Sequence, residues 1–183
     1  MEQILFLKEF FKHWREVGSV IPSSHFLVKK LASHAESDRP IIIVELGPGV
    51  GNVTREILLR LHPESRLYAF EINREFVASL RTIRDRRLTV LERSAEELQS
   101  GIGGAKVDCI VSSLPLGAFD VSLRERIVRA VQDSLAHGGV FAQYQYAPSA
   151  YPLLKRTFGE VAVSFEFRNA PPACIYTCRQ PRP

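Results

Sequence analysis

Apolar residues follow two alternating rhythms along this chain. Short β-branched runs bounded by proline or glycine alternate with segments whose apolar residues recur every three or four positions. "IIIVEL" (41–46), between Pro40 and Gly47, predicts a buried strand. Residues 51–61 predict a helix with Val53, Ile57, Leu58 and Leu61 on one face, stopped before Pro63. "RLYAFEI" (66–72) predicts the second strand and 74–84 the second helix, through Phe76, Leu80 and Ile83. "LTVLE" (88–92) and "VDCIVSSLP" (107–115) predict the third and fourth strands. A helix follows over 121–136, with Val121, Ile127, Val128, Val131 and Leu135 on one side. "GGVFAQYQY" (138–146) is the fifth strand and 149–158 the next helix, with Pro152 near its start. "VAVSFEF" (161–167) and "CIYTCR" (174–179) close the pattern as an antiparallel pair. Strand–helix alternation implies right-handed crossovers. The expected fold class is therefore α/β, a seven-stranded, mainly parallel sheet covered on both faces. No repeat, low-complexity tract or linker interrupts residues 1–183, so a single domain is expected, with 1–35 as an N-terminal helical extension.

Composition narrows the class. The 183 residues are 45% hydrophobic and 24% charged, as in ordinary globular proteins. No apolar run reaches the roughly 18–20 residues that span a bilayer. Lys8, Glu9, Lys12 and His13 interrupt the first apolar residues, which argues against a signal peptide. A net charge of +4 fits an anionic partner, nucleic acid or acidic membrane, and equally a solvated basic surface. Cys109 falls in an apolar run, and Cys174 and Cys178 lack the spacing of a zinc site. The expected compartment is reducing and cytoplasmic, and no metal is assigned.

The chemistry concentrates at "VELGPGVGNVT" (44–54), where strand meets helix. In open α/β sheets ligands bind beyond the carboxyl ends of the strands. Gly47, Gly49 and Gly51 allow positive φ and close backbone approach. Glu71 ends the second strand, about twenty residues after Gly51, where a ribose hydroxyl pair is held. The dinucleotide fingerprint spaces its glycines differently and has glycine where this chain has Asn52. Glu45 stands immediately before the turn, a poor neighbour for a pyrophosphate and a good one for an ammonium and a sulfonium. At these residues the sequence resembles the Rossmann-like S-adenosylmethionine-dependent methyltransferases. The resemblance implies that Glu45 and Gly47–Gly51 hold the methionine part of S-adenosyl-L-methionine and that Glu71 binds the ribose. Ile72 beside it, Ser94 and Ala95 in "ERSAEEL" (92–98), and Ser112 complete the implied cofactor set. Serine at 94 departs from the acid that the family usually places there.

The substrate is read from "SSLPLGAF" (112–119). Nucleic-acid adenine methyltransferases carry a polar residue, a Leu-Pro or Pro-Pro pair and an aromatic at this point. Ser113, Leu114 and Pro115 fit, and Leu116 replaces the aromatic, which forfeits roughly 1–3 kcal/mol of base stacking. "SHFLVKKL" (24–31) resembles the opening segment of ribosomal RNA adenine dimethylases, with His25 at the place of their asparagine. Five segments in order resemble another family along nearly the whole chain: "FLKEFFKHWREVGSVIPSSHFLVKKLA" (6–32), "VELGPGVGNVTREIL" (44–58), "SSLPL" (112–116), "GGVFAQYQYAP" (138–148) and "NAPPACIYTCR" (169–179). That family is the short bacterial phospholipid N-methyltransferases, which act on phosphatidylethanolamine. Val50 and Gln145-Tyr146-Ala147 depart from its pattern.

That resemblance implies a phospholipid amine as substrate and a peripheral association with the membrane. Nucleic acid becomes an unlikely partner, and the oligomeric state stays open. Ile4, Leu7, Phe11 and Trp14 recur at helical spacing beside Lys8, Lys12, His13 and Arg15, so residues 4–17 predict an amphipathic helix. Such a helix docks either on an anionic membrane surface or on the domain's own core. A lipid ammonium must lose a proton before its nitrogen can react, and Tyr144, Tyr146 and Ser113 are the candidate catalytic groups. Tyrosine faces also hold methylated cations. His25 is a further candidate base, and "NAPPA" (169–173) is expected to form a loop beside the pocket. The alternatives are a ribosomal RNA adenine N6-methyltransferase and a cofactor- or lipid-binding protein without turnover.

Overall fold

The computed structural model describes residues 24–179. Residues 4–17, where the amphipathic helix is expected, lie outside them. Seven strands form one sheet in the order β3-β2-β1-β4-β5-β7-β6. They are β1 (Ile42–Leu46), β2 (Arg66–Glu71), β3 (Leu88–Glu92), β4 (Val107–Ser112), β5 (Leu135–Gln145), β6 (Glu160–Glu166) and β7 (Ala173–Arg179). β1 to β5 pair in parallel, and β7 runs antiparallel between β5 and β6. The Rossmann-like α/β sheet with its antiparallel C-terminal pair is thus the observed fold.

Side-chain alternation divides the core in two. Ile43, Val111 and Ile175 face α1 (His25–Ala32) and α2 (Asn52–Arg60). Val44, Ile110 and Tyr176 face α4 (Leu98–Gly101), α5 (Val121–Ser134) and α6 (Tyr151–Thr157). The short α3 (Arg74–Leu80) begins at Asn73, whose side chain caps the amides of Glu75 and Phe76. Asp120 caps α5 in the same way through Leu123. α1 belongs to the core: Leu27 and Leu31 are fully buried in it.

Three element boundaries differ from the sequence pattern by three residues or more. The helix expected over 74–84 ends at Leu80, where Thr82 and Ile83 donate to carbonyls three residues back and Thr82 Oγ1 returns to the Ser79 carbonyl. The strand expected to reach Pro115 ends at Ser112, opposite Leu46 where β1 itself ends; the Ser113 amide makes the last bond to β1, to the Leu46 carbonyl at 2.9 Å. The fifth strand starts at Leu135 rather than Gly138: Leu135 pairs with Val107, and the register then shifts through Gly138, whose φ is 74°.

Candidate active site

β1 ends in a turn built from backbone conformations that L side chains disfavour. Gly47, Gly49 and Gly51 have φ of 69°, 57° and 85°, and α2 starts directly after the last of them. The Gly47 amide donates to the Phe70 carbonyl of β2, and the Gly51 amide to the Pro48 carbonyl, both at 3.0 Å. A Cβ on Gly47 would meet Leu114 Cδ2 at 2.7 Å. A Cβ on Gly49 would meet nothing within 4 Å among the described residues, so the backbone there is open to close approach.

Two buried carboxyl groups flank this opening. Glu45 is fully buried on the α2 side of the sheet, and its Oε2 accepts from Thr54 Oγ1 at 2.6 Å. Its Oε1 is buried with no hydrogen-bond partner among the described residues. Burial raises the Glu45 carboxyl to about 7; the Thr54 hydrogen bond opposes the rise and the neighbouring Glu71 adds to it. Glu71, at the end of β2, accepts from the amides of Ile72 and Asn73 through Oε1, each at 2.9 Å, and from the amide of Gly49 through Oε2 at 3.1 Å. Burial raises this carboxyl too, against the three amide bonds. A carboxylate has about four acceptor positions, so one remains for a ligand hydroxyl. An orphaned acceptor at Glu45, an open backbone at Gly49 and a spare acceptor at Glu71 fit a ligand that carries an ammonium and a ribose.

The ends of β4 and β5 form the other side. Ser112 is buried, and its Oγ accepts from the Leu114 amide at 3.3 Å. Ser113 follows, half-buried and tied to β1 through its amide. Tyr144 and Tyr146 project on the same face of β5 as Ala142 and pack against the cluster of α1 and α2, with ring centroids 5.8 Å apart and planes at 78°. By strand alternation that is also the face of Glu45. The opposite face of β5 carries Gln143 and Gln145, both buried. Their Nε2 atoms donate to the Leu114 carbonyl at 3.0 and 3.3 Å, and Gln145 Oε1 accepts from the Gly117 amide at 3.2 Å. The segment that covers Gly47 is therefore clamped from β5.

Ser94 stands at the head of a single 3₁₀ turn (Ala95–Glu97), which it caps by accepting from the Glu96 amide. Its hydroxyl is thereby engaged in the cap, and Ala95 is buried in the core. Ile72 is half-buried beside Glu71. In "NAPPA", Asn169 Oδ1 accepts from the Ser24 amide at 2.7 Å, joining the connection between β6 and β7 to the start of α1. Thr54, Gln143 and Gln145 were not marked by the sequence pattern. The signal for the glutamines is two amides at period two in an otherwise apolar strand. Thr54 is a hydroxyl three residues after Gly51, on the buried side of α2. Among the described residues no cluster of three or more His, Cys, Asp or Glu side chains could hold a metal ion, and no helix is long and apolar enough to cross a membrane.

The matching family model is described as a methyltransferase domain and covers residues 43–139. The ornithine lipid N-methyltransferase of Singulisphaera acidiphila is 36% identical over 183 aligned residues, covering 96% of this chain and 94% of that one. Among solved structures, a precorrin-6y C5,15-methyltransferase of Geobacter metallireducens matches with a TM-score of 0.71 at 17% identity, over 88% of this chain and 93% of that one. The N-methyltransferase NodS of Bradyrhizobium japonicum, solved with S-adenosyl-L-homocysteine, matches with a TM-score of 0.68 at 15% identity, over 85% of this chain and 86% of that one. At such identities the structural likeness is one of fold.

Proposed function

The chain belongs to the methyltransferase domain family and is an S-adenosylmethionine-dependent methyltransferase; from that premise we propose that it methylates the amine of a lipid head group, such as phosphatidylethanolamine, at the surface of a membrane. The observation that carries the reading is the tyrosine pair, Tyr144 and Tyr146, on the same sheet face as Glu45 and one strand from Ser113. Similarity to an ornithine lipid N-methyltransferase along nearly the whole chain supports a lipid amine over other acceptors.

The residues divide the work. Glu45 Oε1 takes the ammonium of the cofactor, the open backbone at Gly49 lets its chain lie close, and Glu71 takes the ribose hydroxyls on the acceptor position that Gly49, Ile72 and Asn73 leave over. Ser112 holds the Leu114 amide and so fixes the segment beside the turn. Ser94 and Ala95 shape the end of β3. When bound, S-adenosylmethionine supplies a sulfonium-linked methyl that needs no further activation. The protein's task is then alignment and exclusion of water. An aliphatic ammonium titrates near the lysine range, about 10, so the acceptor nitrogen must be deprotonated in the site. Ser113 and the hydroxyls of Tyr144 and Tyr146 orient that nitrogen by accepting hydrogen bonds from it and relay its proton to bulk water, since a neutral hydroxyl cannot keep it. The tyrosine faces then retain the more methylated cation. Residues 4–17 hold the enzyme to an anionic surface.

The test is incubation with methyl-labelled S-adenosylmethionine and, separately, vesicles containing phosphatidylethanolamine, vesicles containing an ornithine lipid, and ribosomal RNA. Label is expected in a lipid fraction. Label in RNA alone would replace this reading with the adenine one. Cofactor binding with no label in any fraction would leave a binding protein.

A further inference from the structure

We propose that the carboxyl-end tip of the edge strand β6 is a second membrane contact, inserting Phe165 and Phe167 into the interfacial layer of an anionic bilayer. The inference rests on the lipid reading above for its purpose, but not for its test. Val163 and Phe165 alternate along one face of β6, Phe167 follows directly after its end, and the three are 41%, 53% and 76% exposed. The two phenylalanine rings stack, with centroids 5.9 Å apart at 26°. Large aromatics are rarely left in water as a neighbouring pair, and an exposed apolar edge strand invites aggregation unless something covers it.

Position and charge say what covers it. Phe165 stands in register with Cys174, and Cys174 with Gln145, so the aromatic pair lies on the carboxyl-end rim of the sheet, where the candidate site opens. Two cations, Lys30 and Arg168, stand against one acid at this tip, on the α1 side of the strand. Lys30 Nζ reaches the Phe165 carbonyl at 3.0 Å, and the Arg168 guanidinium lies 3.9 Å over the ring of Phe26, itself 44% exposed. The one acid among them, Glu166, is paired with Arg168 at 2.9 Å. Aromatic side chains rimmed by Lys and Arg suit the boundary between acyl chains and anionic head groups. A second copy of the chain fits less well, because Lys30 places a cation on a carbonyl of the edge strand, a device that discourages strand-to-strand pairing.

The experiment compares the full chain with the double variant Phe165→Ser/Phe167→Ser. Flotation with vesicles of phosphatidylglycerol and phosphatidylethanolamine is expected to show an affinity lower by about tenfold or more in the variant, two interfacial rings being lost. Circular dichroism, S-adenosylhomocysteine affinity and turnover of a short-chain phosphatidylethanolamine dissolved as monomers should be unchanged. Phe165→Trp/Phe167→Trp should restore flotation. Unchanged flotation of the serine variant would overturn the proposal, and so would a dimer in the wild type that the variant converts to monomer in sedimentation. The two readings fail separately. If the wild type methylates the monomeric lipid while both proteins float alike, the contact surface is wrong and the enzymatic reading stands. If only the wild type floats and no lipid is ever labelled, the surface stands and the substrate reading falls.

Discussion

At the scale of single residues, Gly49 and Glu45 set the clearest tests. Gly49 combines a φ of 57° with open space where a side chain would project. Gly49→Val should cost about 1–2 kcal/mol of stability from the left-handed backbone and remove S-adenosylhomocysteine binding by filling that space. Calorimetry with a thermal melt separates the two effects, and unchanged affinity would move the cofactor elsewhere. Glu45 is pushed up from an ordinary 4.5 to about 7 by burial. Within that window the folded chain holds a proton that the unfolded chain has lost. Stability should therefore fall as pH rises from 4.5 to about 7 and level off above, with Glu71 acting in the same direction. Glu45→Gln should flatten the slope in urea denaturation followed between about pH 5 and pH 8. An ammonium beside Oε1 favours the ionised carboxylate, so ligand binding near the middle of the window should release a proton. Calorimetry in two buffers of different ionisation enthalpy reads that release.

At the scale of elements, β5 does two jobs with its two faces. Tyr144 and Tyr146 share the sheet face of Glu45 and pack toward α1 and α2, while Gln143 and Gln145 clamp the Leu114 carbonyl. Gln143→Leu should leave that clamp on Gln145 alone. We expect kcat on lipid to fall by about tenfold, as for a small misplacement of the reacting groups, with S-adenosylhomocysteine affinity kept because Glu71 and Gly49 are untouched. A matching loss of cofactor affinity would mean that the clamp serves the turn instead. This division also explains what the sequence made legible. Glycine turns and strand-end acids act through local backbone chemistry, so Gly47, Gly49, Gly51 and Glu71 could be located from spacing. The partners of Gln143, Gln145 and Thr54 lie far along the chain, at Leu114, Gly117 and Glu45, and local spacing does not reveal them. Strand identities were legible for the same reason that the start of β5 was not. Periodicity marks buried runs, but the shift through Gly138 lets Leu135 pair before the periodic stretch begins. Ser94, expected at the cofactor, also caps a turn, a partnership that its position in the sequence pattern did not announce.

At the scale of the whole molecule, the prediction concerns attachment. If residues 4–17 bind anionic lipid, Trp14, the single tryptophan of the chain, should shift its fluorescence to the blue when vesicles are added. Added salt should weaken the binding only in part, since the apolar contribution is not screened. A tryptophan already blue and unmoved by lipid would assign that segment to the protein interior. The sheet order carries a consequence of its own. β7 is made after β6 yet lies between β6 and β5. On the ribosome, β6 therefore emerges with no strand beside it, and its backbone edge stays unpaired until β7 threads the gap. The nascent chain passes through a stage in which its stickiest edge is also its least anchored one. A chaperone that recognises extended aromatic segments would find its grip at 160–167 and would be displaced by the arrival of 173–179.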